Sequence, residues 1–158
     1  MNAIDILKYG QVPVQQAIDG LPAEAWEKAG ACGNWSTKDL IAHLTSFELI
    51  LVDILTSLSG SSDTPTLNTY ISEGNRFNDS EVEKRKQNSV QMVLAEFNSA
   101  HAQVMSLIER IPVETRRQPG TLPWYGMDYA LDDVLVYMYY GHKREHSAQI
   151  AIFRDHLR

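Results

Sequence analysis

From Val90 to Ile111 the residues Val90, Leu94, Phe97, His101, Val104, Ile108 and Ile111 advance by alternating steps of four and three. That rhythm holds one face of a helix toward a neighbour and is the seam of a helical bundle. No run of similar length alternates apolar and polar side chains as a half-buried strand does. The same helical period recurs elsewhere. It predicts a first helix over Asn2–Asp19, with Ile4, Leu7, Val14, Gln15 and Ile18 along or beside one stripe. A second covers Thr37–Leu58, with Leu40, His43, Phe47, Ile50, Ile54 and Leu58 facing inward. The third covers Ser80–Ile111. The fourth covers Asp128–Arg158, with Leu131, Leu135, Met138, Tyr139, His142, His146, Gln149 and Phe153 inward. Residues 1–158 therefore read as a single domain, an all-α four-helix bundle with a long crossover connection.

The breaks between these segments carry ordinary stop and start signals. Pro13 should kink or break the first helix, and Gly20 closes it with the positive φ that glycine adopts without steric cost. Leu21-Pro22 opens a short helical segment through Ala29. Ser36 and Asp39 are spaced for a capping box, with Trp35 and Leu40 at the staple positions. Ser59–Thr66 reads as a loop and Leu67–Asn78 as a partial helix. Pro112 ends the third helix, and Val113–Met127 is an irregular crossover containing Leu122-Pro123-Trp124-Tyr125-Gly126.

A net charge of −6 argues against nucleic acid or an anionic membrane as the partner. The one basic cluster, Lys84-Arg85-Lys86, follows Glu81 and Glu83 and reads as a solvated helix face. A single cysteine, Cys32, excludes an intrachain disulfide and the cysteine-rich zinc motifs. The start of the chain lacks the basic and apolar runs of a signal peptide. The apolar stretches read as amphipathic and interrupted, so no membrane span is expected. These features predict a cytoplasmic protein.

His142 and His146 lie four residues apart, hence one turn apart on one helix face. Both fall on the inward stripe, as does His43 on another helix. Burying adjacent imidazoles without a partner is costly. Three such ligands can hold a divalent metal ion while leaving a coordination position for water or substrate. Nitrogen ligands suit zinc and nickel among others. A packed core histidine is the alternative for each of the three. His101 also lies on or beside a buried stripe; it reads as a packed residue or a fourth ligand, which would close the site. Asp39, one turn before His43, has two roles open to it: orienting that imidazole, or completing the capping box. Tyr139, one turn before His142, is the expected proton donor, with a bundle tyrosine as the alternative. Glu145, on the flank of the stripe, is a possible base or a surface residue.

Two stretches carry a family resemblance. Asn34-Trp35-Ser36-Thr37-Lys38-Asp39-Leu40-Ile41-Ala42-His43-Leu44 resembles the segment of the DinB/YfiT-like superfamily that supplies its first metal histidine. Tyr140-Gly141-His142-Lys143-Arg144-Glu145-His146-Ser147-Ala148-Gln149-Ile150 resembles the helix of that superfamily bearing its His-x-x-x-His pair. The resemblance implies a four-helix bundle, often a homodimer, with His43, His142 and His146 as metal ligands. It further implies a divalent-metal-dependent enzyme acting on a small molecule. Thiol S-transferase chemistry, with a low-molecular-weight thiol as co-substrate, and hydrolase-like chemistry are the expected activities. A non-catalytic metal- or ligand-binding bundle with a stress-related role is the alternative.

Overall fold

In the computed structural model, which describes residues 2–158, helix is the only regular secondary structure among the described residues. Helix α1 spans Ala3–Ile18, α2 Thr37–Leu58, α3 Pro65–Glu73, α4 Phe77–Lys84, α5 Val90–Ile108 and α6 Val113–Arg117. The last helix has three parts: α7 at Leu131–Val134, a π segment at Leu135–Gly141, and α8 at His142–His156. The chain is an all-α bundle. Helix α2 packs mainly on α5, and α1 mainly on the π segment and α8; α1–α5 and α2–α8 contacts join the two pairs. Helices α3 and α4 lie against α2.

Local signals explain most boundaries. Asn2 caps α1 by accepting the Asp5 N–H at 3.0 Å. Helix α1 runs through Pro13 without ending there, and it stops just before Gly20, whose φ is +66°. At Gly10 an added Cβ would stand 3.3 Å from the Tyr140 backbone, so α1 lies close against the π segment. The expected capping box is formed: Ser36 Oγ accepts the Asp39 N–H at 3.1 Å, and Asp39 Oδ2 accepts the Ser36 N–H at 2.9 Å. Ser36→Ala is expected to cost about 1 kcal/mol of stability. An unchanged urea midpoint would remove this cap from the account of α2.

Four expectations need correction. The segment Ser80–Ile111 is not one helix but α4 and α5, separated by a turn. Arg85 folds inward at that turn and bonds Glu81 at 2.9 Å, and it pairs with Glu96 across the break. Ser89 then caps α5 by accepting the Met92 N–H at 3.1 Å. The Lys84-Arg85-Lys86 cluster is therefore no uniform solvated face, since Arg85 is buried and Lys86 reaches the Asp39 carboxylate. The final helix starts at Leu131, where the Asp133 carboxylate accepts the Ala130 N–H, and it is wound as π before His142. A π turn holds an extra residue, which rotates the following helix by roughly 100°. Length and composition alone would let α2 cross a membrane, contrary to expectation, although most of it is buried inside the bundle.

The core has two apolar clusters. One contains Leu7, Ile50, Leu51, Ile54, Phe77, Val104, Ile108, Leu131 and Leu135. The other contains Val14, Leu40, Ile41, Leu44, Val93, Phe97, Ile150 and Phe153. Along each long helix a short polar interval lies at the boundary of the two clusters: Gln11 on α1, Thr45-Ser46 on α2 with His43 and Glu48 two residues to either side, His101 on α5, and His142 to His146 on α8.

Candidate metal centre

That polar interval brings the three histidines together. His43 Nε2 lies 2.9 Å from His142 Nε2, and His146 Nε2 lies 2.8 Å from the same atom. The three ligand atoms all fall within 4.8 Å of one another. His43 and His146 are buried and His142 is partly exposed. Phe47 stands against both His43 and His142, with ring centroids 5.0 and 4.6 Å away. Trp35 covers His43 at 5.1 Å.

The outer nitrogens determine which way the lone pairs face. Gln149 Oε1 can only accept, so at 2.7 Å it accepts a hydrogen bond from His146 Nδ1–H, which leaves Nε2 as the lone-pair nitrogen. His142 hydrogen-bonds the Met138 carbonyl one turn back. With its Nε2 turned to the other histidines, that bond falls to Nδ1. The His142 N–H meanwhile bonds the Tyr139 carbonyl. Two lone pairs therefore face each other at 2.8 Å, an arrangement that repels unless a cation lies between them. Burial, then the neighbouring imidazoles, lowers His43 to about 3. Burial, then His146, lowers His142 to about 4. Near neutral pH both rings are uncharged, the state a metal ligand requires. The donor set thus fits a divalent ion held by three imidazoles.

One side of the cluster is open. A cavity of about 300 Å³ is lined by His43, Phe47, Asn78, Tyr137, Met138, Gly141, His142 and Glu145. A larger groove of about 440 Å³ lies elsewhere, between α1 and α8, and reaches none of the three histidines.

The remaining expected site residues are placed differently. His101 Nδ1 pairs with Glu48 Oε2 at 3.1 Å and is no part of the histidine cluster. Asp39 makes the capping box and accepts from Lys86 at 2.9 Å; it makes no bond to His43, whose Nδ1 is buried without a partner. Burial raises the Asp39 carboxyl, but the bonds from Ser36 and Lys86 outweigh it and leave the pKa below its usual value. Tyr139 donates its hydroxyl proton to the Phe47 carbonyl at 2.9 Å and is fully buried, which pushes its pKa well up.

Gln149 and the Glu48–Lys143 pair are missing from the sequence reading of the site. Gln149 lies on the inward stripe one turn after His146, and that spacing was the available signal. Glu48 was also visible, as a charge inside the most apolar stretch of α2. It is fully buried. Burial raises its carboxyl, but Lys143 and His101 outweigh this and hold the pKa below the usual value. Gln149→Leu is expected to weaken zinc binding about 10- to 100-fold while the fold persists, as loss of an orienting partner does. Isothermal titration of the metal-free protein measures it, and wild-type affinity in the variant would deny Gln149 this role.

The comparisons bear on this geometry. The DinB superfamily profile matches residues 10–150, while no curated protein and no solved structure matches the chain. The matched span takes in His43, His142 and His146, and the chain belongs to the DinB superfamily.

Proposed function

We propose that the chain is a divalent-metal-dependent enzyme acting on a small molecule, as a thiol S-transferase or with hydrolase-like chemistry. The observation that supports this most directly is the convergence of three imidazole nitrogens beside an open cavity. A closed structural site would have a fourth protein ligand, and the residue that might have supplied it, His101, is engaged by Glu48 instead. A divalent ion such as zinc or nickel, when bound here, would lower the pKa of a thiol or water and polarise a substrate oxygen.

The chain's own residues take the other roles in this reading. Phe47 and Met138 give the cavity an apolar wall that excludes water from one side of the substrate. Tyr137 lines both this cavity and an adjoining one of about 380 Å³ formed with Tyr125 and Tyr129. The adjoining cavity offers the π faces and phenol hydroxyls of three tyrosines to the non-reacting part of a small molecule. Proton handling passes to Glu145, which lines the cavity beside His142, because the Tyr139 proton is committed to Phe47.

The test is turnover by protein loaded with zinc or nickel, using low-molecular-weight thiols and small electrophiles, with water as the competing nucleophile. Metal-dependent consumption of an electrophile is expected. Glu145→Gln should slow it at least about tenfold with metal content unchanged, as loss of a general base does. Stoichiometric metal without turnover under any pairing would favour the non-catalytic metal-binding bundle.

A further inference from the structure

A second polar cluster lies in the same interval of the core, and each long helix contributes one residue to it. Glu48 of α2 ion-pairs with Lys143 of α8 through Oε1, and its Oε2 meets His101 Nδ1 of α5 at 3.1 Å. Lys143 Nζ donates to Gln11 Oε1 of α1 at 2.8 Å. The ammonium group also sits 5.6 Å from the centre of the Phe97 ring. The Glu48 and Lys143 side chains are 0% and 3% exposed. Such a pair is expensive to bury, and well-packed apolar residues often match or exceed it in stability. Stability alone therefore explains its presence poorly. Fixing one register among alternatives is the best-attested use of a buried polar group.

The bundle needs a device of this kind. Helices α2 and α8 carry the metal ligands, yet each packs mainly on a different partner, α5 and α1. Apolar contacts tolerate small slides and rotations, whereas an ion pair anchored at both ends does not. Lys143 directly follows His142, and Glu48 lies five residues after His43. The pair therefore ties α8 to α2 at a point offset around each helix from the histidines. Two separate contacts between the helices fix rotation as well as separation. The facing lone pairs of His142 and His146, 2.8 Å apart, repel before a metal arrives, so these rings need such an external hold.

We infer that Gln11, Lys143, Glu48 and His101 form a buried four-helix tie whose role is to position the three histidines for metal binding. These four are positioning residues. The inference rests on the metal-site reading above.

The test compares wild type with the double variant Glu48→Leu/Lys143→Met, which leaves no unpaired buried charge. The expected result is a melting temperature equal to or above that of metal-free wild type, with zinc affinity at least tenfold weaker. Ring ¹⁵N–¹H spectra of the metal-free proteins give a second readout: one set of histidine resonances in wild type, and broadened or multiple sets in the variant. Wild-type zinc affinity together with a single unshifted set in a well-folded double variant would overturn the inference. Should the double variant not fold, Gln11→Met keeps the ion pair and removes only the α1 arm; it is expected to weaken zinc binding about threefold, and no change in affinity or ring spectra would overturn the inference. If wild type takes up no zinc, the metal reading fails, and the ring spectra still decide whether the tie holds the histidines.

Discussion

His142→Ala is expected to reduce bound metal from about one ion per chain to less than a tenth of that. The reason is geometric. His142 Nε2 is the atom nearest both others, at 2.9 Å from His43 and 2.8 Å from His146, so its removal leaves two ligands without their common neighbour. Affinity for zinc should fall by more than about two orders of magnitude, beyond the range expected for an orienting partner such as Gln149. Stability gives an independent reading. A ligand that binds only the folded state, present at 100 times its dissociation constant, stabilises by about 2.7 kcal/mol. Wild type should show this rise with zinc, and His142→Ala should lose it. In chelator the two proteins should differ little, because the substitution removes a partly exposed ring and relieves lone-pair repulsion. Metal content by mass spectrometry, on untagged protein purified without added metal, decides the matter. Absence of metal in wild type even after incubation with zinc and nickel would end the metalloenzyme reading, as would undiminished metal in the variant.

The outcome bears on how much a periodic sequence discloses. Leu40, His43, Phe47, Ile50, Ile54 and Leu58 read as one stripe, and all but the half-buried Leu58 are buried. The three histidines were legible because a helix places i and i+4 together and because each lay on a stripe that had to face inward. What escaped was set by contacts between distant segments. Helical period alone joins Ser80 to Ile111, because it does not register that Arg85 gains more from turning in to Glu81 and Glu96 than from staying on a solvated face. The π segment was invisible for a similar reason: Leu135–Gly141 is apolar and helical by pattern, and the extra residue per turn appears only in the hydrogen bonding. Asp39 shows the limit of phase arguments. It lies one turn from His43, but its carboxylate is taken by Ser36 and Lys86, the latter 47 residues away. Lys143 looks like a surface charge in sequence, and Glu48 shows only as a charge within an apolar stretch. Only the packing of all four long helices at one level reveals that they meet.

Acid should destabilise the metal-free protein earlier than its carboxylates can explain. His43 and His142 have folded-state pKa values of about 3 and about 4, against 6.5 when unfolded. Below pH 6.5 the unfolded chain takes up protons at these rings while the folded chain does not. Stability is therefore complete above pH 6.5 and falls as pH drops from there toward 4 and then 3. Each ring contributes a slope of up to about 1.4 kcal/mol per pH unit. Asp39, Glu48 and Glu81 also have lowered values, but their unfolded values are 3.8 and 4.5, so their contributions are lost only in more acidic solution. Asp53 moves the other way, because burial raises its carboxyl, so the decline from pH 6.5 to 5 comes from the imidazoles. Urea midpoints in chelator at pH 7.5, 6.5, 5.5 and 5 should be level at first and then decline. His142→Ala should decline less steeply, because one of the two rings that resist protonation is gone. A flat profile in wild type, or identical slopes in the two proteins, would mean that these histidines protonate freely in the folded state. The rings would then not be the buried, uncharged ligand set on which the metal centre depends.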